Sequence, residues 1–155
     1  MTRANARELA VHLIYGREFT GEPAEDVIRV RLEREYYACL SEDNAVYTEY
    51  PSKAQKAYLD RVVSGVAEHL EELNGYITQY SIDWDITRIS RLARVIMQLA
   101  IYEALYVEDV PTGVAVSEAV RIAKKYDGDD TGSFVNGILG SFARSLTTPA
   151  SEDAE

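Results

Sequence analysis

A chain of 155 residues with a single cysteine, Cys39, can form no internal disulfide and no multi-cysteine zinc site. That cysteine stands beside Leu40 in a helical pattern, where a small buried hydrophobe is expected. There are only two histidines, His12 and His69, and no His-Glu-x-x-His pair, which argues against a catalytic metal. Neither a Gly-x-Ser-x-Gly elbow nor a Walker lysine occurs. Gly128, Gly132, Gly137 and Gly140 do not make a phosphate loop; they bracket and continue a helix start. Glu71-Glu72 reads as a solvated face rather than an acid–base pair. With no constellation to carry a reaction, no enzyme and no cofactor are expected. Long apolar runs are also missing: the longest, 95–107, is interrupted by Gln98 and Glu103, so no membrane span is expected. Met1 to Asn5 passes straight into an amphipathic pattern without a signal-peptide core. The expectation is a cytoplasmic protein with no membrane partner.

What is present is acid. The net charge of −10 argues against indiscriminate nucleic-acid binding, but it is unevenly spread. Residues 1–17 hold three arginines against one glutamate, a net of +2. Residues 18–50 hold three arginines against nine acids, a net of −6, while 86–146 balance at zero. An anion-binding face must therefore be local, and it is expected to include the first helix.

Hydrophobic periodicity assigns the fold class. Thr2 can cap a first helix that runs to about Phe19, with Ala6, Leu9, Ala10 and Leu13 on its core face. Pro23 suits the first turn of a second helix reaching Leu40. Residues 41–51 read as an ordered loop, with the alternation Val46, Thr48, Tyr50 leaving a short strand as the alternative. A long helix is expected from Pro51 to about Tyr80, on the stripe Leu59, Val62, Val63, Val66, Leu70, Leu73 and Ile77. Thr87 or Asp85 then caps a short helix, Arg88 to Leu92, which leads into an apolar helix to Val107. Another helix follows Pro111 and extends to Lys124. A polar loop, Asp127 to Ser133, precedes the last, which carries Val135, Ile138, Leu139 and Phe142. No βαβ alternation or strand set is visible, so the class is all-α: a compact bundle of six or seven helices. Residues 1–146 read as one domain, and the acidic stretch 147–155 as a disordered tail.

Four polar residues fall inside the apolar stripes of the last third, Gln98, Glu103, Glu118 and Asn136, and must find partners or water. Binding chemistry is better supported than catalysis. RNA needs cations for phosphates, flat side chains for bases and amides for base edges. Arg3 and Arg7, one turn apart, could supply the first, Tyr15 and Phe134 the second, and Asn136 the third. The alternatives are that the arginines are ordinary surface cations, that both aromatics are core, and that Asn136 braces the loop before its helix. Arg88, Arg91 and Arg94 recur every three residues and form either an auxiliary basic patch or a solvated face.

The same residues carry a resemblance. Tyr102-Glu103, Val110-Pro111, the helix Val114-Ala-Val-Ser-Glu-Ala-Val-Arg-Ile-Ala-Lys124 and Phe134-Val-Asn-Gly-Ile-Leu139, with Ala6-Arg-Glu-Leu-Ala-Val11 closing on Tyr15, resemble the NusB family of transcription antitermination factors. The stretch 21–51 matches no family motif. The resemblance implies two packed helical sub-bundles and a non-catalytic adaptor. Such an adaptor binds boxA-type RNA of nascent ribosomal transcripts together with a ribosomal protein, NusE, within an RNA polymerase antitermination complex. A similar fold opens some ribosomal RNA methyltransferases, and no catalytic domain is expected after Glu155. By position, the resemblance places Arg3, Arg7, Tyr15, Phe134 and Asn136 at the RNA, and Asp130 beside the RNA and protein surfaces. The acidic surface from Glu18 to Glu49 would suit a basic partner. Ala4, Asn5, Gln98 and Ser133 stand where the family often has basic residues. Weak RNA affinity alone is therefore expected, with a shallow salt dependence because few phosphates are engaged. Replacing Arg7 by glutamate is expected to weaken RNA binding without unfolding the domain. A protein-interaction scaffold or homodimer with little RNA binding stands as the alternative.

Overall fold

The computed structural model describes residues 1–82 and 89–147. Eight α-helices and two 3₁₀ turns make up the described regular structure, and no strand occurs among these residues. The helices are α1 (Arg3–Thr20), α2 (Ala24–Arg31), α3 (Arg34–Cys39), α4 (Lys53–Glu68), α5 (Leu70–Tyr80), α6 (Arg91–Tyr106), α7 (Thr112–Asp127) and α8 (Asp129–Thr147). The all-α expectation holds, with more helices than expected. The chain divides into two compact units, Met1–His69 and Leu70 onward.

In the first unit α1 packs on α4 and α2, and α2 packs on α4. Thr2 caps α1 by accepting from the Asn5 amide at 3.0 Å. Gly21 closes the helix at φ 67°, its N–H donating to the Arg17 carbonyl at 2.8 Å. The single helix expected over 23–40 is broken at Leu32. The Glu33 carboxylate accepts from the amides of Glu35 and Tyr36 at 3.1 and 3.0 Å and starts α3 afresh. That turn sends Tyr37 inward to 2% exposure. It also leaves Cys39 exposed rather than buried, because α3 ends there with only its Tyr37 face covered. The loop reading of 41–51 holds, and its Val46–Tyr50 alternation folds as a 3₁₀ turn, Ala45–Thr48, not a strand.

Ser52 and Gln55 open α4 with a reciprocal capping box. The helix expected to run unbroken to Tyr80 is interrupted at His69, whose N–H donates to the Gly65 carbonyl at 3.0 Å. Periodicity does not register the break, because the apolar positions on either side of it, Leu59, Val62 and Val66 and then Leu73 and Ile77, are all buried.

The second unit is built around α6, which touches α5, α7 and α8. Its residues Val95 to Glu103 are buried without interruption, as befits a helix apolar on nearly every side. Ser90 caps it by accepting from the Ala93 amide at 3.1 Å. The caps expected at Thr87 or Asp85, and Arg88, lie outside the described residues. The separate short helix expected up to Leu92 does not form: Ile89 and Ser90 are non-helical, Ser90 is the cap, and Arg91-Leu92 belong to the first turn of α6 itself. Phe142, Leu139 and Ile138 of α8 lie in the core, with Phe142 edge-on to Tyr76 at 5.3 Å.

The loop expected over 127–133 is absent. α7 runs to Asp127, α8 starts at Asp129, and Gly128 alone makes the turn at φ 92°, ψ 174°. Two features hide this from sequence. Asp129 and Asp130 look like loop residues but favour a helix amino terminus. Gly132 looks like a breaker but is buried beneath Lys124: a Cβ there would lie 2.4 Å from the Lys124 Cγ. The Gly128 conformation is essentially closed to L-residues, so Gly128→Ala should destabilise the protein by about 1–3 kcal/mol. An unchanged thermal melt would show that the turn relaxes at no cost.

Candidate nucleic-acid interface

Four of the sequence-predicted residues, Arg3, Arg7, Tyr15 and Glu18, lie on α1 in the first unit. Asp130, Phe134 and Asn136 lie on α8 in the second. Arg3 is exposed at the first position of α1, a helix with no acid in its first turn. A cation there is disfavoured by the helix dipole, whereas a bound anion would be favoured. Arg7 differs. It is 7% exposed and adjoins Glu8 at 0%. A guanidinium held that far inside is not displayed to a ligand as Arg3 is. The expectation that Arg7→Glu would leave the fold intact is therefore revised: the substitution would place a carboxylate at a buried position.

Tyr15 is half-buried and meets the exposed Phe19 edge-on at 4.9 Å. Glu18 is exposed on the last turn of α1. On α8, Phe134 is half-buried and Asn136 exposed. Two positions along a helix turn the side chain by about 200°, so these two cannot address one point. Asn136 instead borders a groove of ≈ 370 Å³ with Val116, Ser117 and Val120 of α7. It lies seven residues inside α8, well beyond any cap, so the bracing role is excluded. Asp130 is exposed in the first turn of α8, one helical turn before Phe134.

Of the remaining polar residues of the stripes, all find local partners except the Gln98 Oε1, which is buried with no hydrogen-bond partner among the described residues. Gln98 is fully buried and its Nε2 donates to the Asn74 Oδ1 at 2.8 Å. Glu118 accepts from Arg121 Nε at 2.8 Å. Glu103 is fully buried and not without a partner. Of the arginine triplet, Arg88 lies outside the described residues. Arg91 is exposed, and Arg94 lines a small cavity with Asn74, Thr78 and Ser81.

The first unit also contains a cluster of tyrosines that sequence reading did not single out. The Tyr37 hydroxyl donates to the Glu49 carbonyl at 2.7 Å, and the Tyr50 hydroxyl donates to the Leu32 carbonyl. Tyr37 meets the rings of Tyr47 and Tyr50 edge-on, each at 5.2 Å. Tyr47 Oη lies 2.8 Å from His12 Nδ1. Burial, then the neighbouring Tyr47, Tyr50 and Glu49, push the Tyr37 phenol up to about 12. Burial likewise raises Tyr47. In the second unit the hydrogen bond to Glu72, with some burial, raises Tyr106 to about 12. A raised phenol pKa supports the folded state fully below pH 10. Above it the unfolded chain releases a proton that the folded chain keeps, so stability is lost between pH 10 and about 12. Ultraviolet titration should find these phenols ionising late and together with unfolding; ordinary ionisation near pH 10 in the folded protein would contradict the packing.

The described residues, all helix and turn with an exposed arginine at the start of the opening helix, define a class: an all-α helical protein. Comparison with known proteins gives the family. The NusB family model matches residues 4–144. The transcription antitermination protein NusB of Acetivibrio thermocellus is 38% identical over 144 residues, covering 93% of this chain and 90% of that protein. The NusB structure from T. maritima is 28% identical with a TM-score of 0.70, covering 100% of this chain and 99% of the other. A crystal structure of antitermination factors NusB and NusE in complex with dsRNA aligns at a TM-score of 0.70 and 22% identity, which shows the shared fold. The chain belongs to the NusB family.

Proposed function

We propose that this protein is a non-catalytic cytoplasmic adaptor that binds boxA-type RNA of nascent ribosomal transcripts together with NusE, and so helps assemble an RNA polymerase antitermination complex. The observation that carries this reading is family membership along residues 4–144, joined to a relative named as a transcription antitermination protein. The structure of a protein of this fold with NusE and dsRNA supports the choice of partners. Arg3 contributes phosphate contacts at the start of α1, Tyr15 and Phe134 offer ring faces, and Asn136 offers an amide. Glu18 and Asp130, both exposed, face a basic partner. The net charge of −10 makes the RNA interaction depend on that partner's cations.

Filter binding with a boxA-type RNA, with and without NusE, tests the reading. Retention should be weak for the protein alone and rise when NusE is added. Retention that does not depend on NusE, or none at all, favours a protein-interaction scaffold, and sedimentation would then test for a homodimer.

A further inference from the structure

Arg34 and Lys56 both sit over the ring of Tyr50, the guanidinium carbon 4.2 Å and the amine 4.5 Å from the ring centroid. The two charges are therefore no more than about 9 Å apart, the sum of those distances. Among the described residues neither is paired with a carboxylate. The acids nearby are otherwise engaged: Glu33 accepts two backbone amides, and Glu49 pairs with the Met1 amine at 2.7 Å. Glu35 follows Arg34 directly and is exposed. Two cations with no ion pair among the described residues thus lie within about 9 Å of each other, beside a segment, 18–50, whose net charge is −6.

The platform beneath them is rigid. Tyr50 is anchored through its hydroxyl to the Leu32 carbonyl and braced by Tyr37. Long cations resting on a fixed ring lose part of their rotamer freedom before any ligand arrives, which lowers what binding must still order. The platform is also tied to the start of α1. Gln55 Nε2 donates to the Met1 carbonyl at 2.6 Å, and the Met1 amine pairs with Glu49, next to Tyr50. Arg3 of α1 and Lys53 of α4, both exposed, each open a helix with no acid in its first turn. The sequence repeatedly sets cations where a helix amino terminus would favour anions, a local conflict of the kind that marks a binding surface.

We infer that Arg34 and Lys56 on the Tyr50 ring form a second phosphate-contact point for the RNA strand that Arg3 engages. This rests on the RNA-binding reading above. It also resolves a shortfall in that reading. With Arg7 buried, α1 offers one exposed arginine in its first two turns; Arg34 and Lys56 bring the total to three, which corresponds to a salt slope of about −2 on single-stranded RNA.

The test is a salt titration of binding to a single-stranded boxA-type RNA with NusE present throughout, comparing wild type, Arg34→Gln/Lys56→Gln, Arg34→Lys/Lys56→Arg, and Arg29→Gln as a control on α2. At 0.1 M salt the double glutamine variant should bind roughly 20-fold more weakly, and its slope should shrink in magnitude by about 1.4 relative to wild type. The charge-retaining swap should recover most of the affinity, and Arg29→Gln should leave both quantities unchanged. Circular dichroism melts establish that each variant is folded. Wild-type binding that the double glutamine variant matches in affinity and slope overturns the inference alone. No RNA binding by the wild type overturns the underlying reading and this inference with it. Weakened NusE binding with unchanged RNA affinity assigns the cations to a protein contact and also overturns it.

Discussion

Arg7→Glu is expected to lower the melting temperature by roughly 6–20 °C, while Arg3→Glu leaves the melt unchanged and reduces RNA affinity. The two arginines stand one turn apart on α1 and look alike in sequence, yet Arg3 is exposed and Arg7 is 7% exposed. Reversing the charge at Arg7 takes a cation out of a buried setting and puts a carboxylate in its place. Breaking a buried charged arrangement in this way costs about 3–5 kcal/mol, since the introduced carboxylate keeps little of its hydration. In a domain of this size each kcal/mol shifts the melt by about 2–4 °C. Arg3→Glu alters a solvated position, where stability changes stay within about 0.5 kcal/mol. Its effect falls on phosphate attraction. Differential scanning calorimetry and RNA titration of the two variants separate the roles. Equal melts for both would mean that Arg7 does not support the fold.

Phe142→Ala is expected to destabilise the protein by about 3–5 kcal/mol. Phe142 is 1% exposed on α8 and meets Tyr76 and Tyr80 of α5 edge-on, at 5.3 and 6.2 Å. Its removal leaves a cavity on both helices and forfeits two aromatic contacts. Because α5 and α8 come from opposite ends of the second unit's sequence, the loss should fall on that unit as a whole rather than on a frayed end. Denaturant unfolding should show a lower midpoint with an unchanged slope. Phe142→Leu, which fills part of the space, should recover a portion of the loss. A midpoint shift below about 1 kcal/mol equivalent would mean that the ring does not anchor α8.

Much of the fold was legible because helical phase survives small errors in placement. The stripe from Leu59 to Ile77 and the run from Val95 to Tyr102 identify helices wherever their ends fall. The misses came where one residue decided a boundary. Glu33 restarts a helix with its side chain, His69 interrupts one within an apolar stripe, and Gly128 replaces an expected seven-residue loop. The candidate site was less legible. Arg3 and Arg7 share a sequence context and differ only in burial, and Phe134 and Asn136 share a motif yet point apart around α8. The Arg34–Tyr50–Lys56 cluster joins residues as many as 22 positions apart in a stretch without a recognised motif.

The sequence by itself determined the all-α class, the family and the uneven charge, because apolar period, ordered motifs and net charge are properties of the chain that need no coordinates. Only the tertiary structure decided which cations meet solvent, which are sealed inside and which gather on a common ring. Burial and proximity depend on how helices pack, and packing brings together side chains whose spacing along the chain carries no trace of the contact.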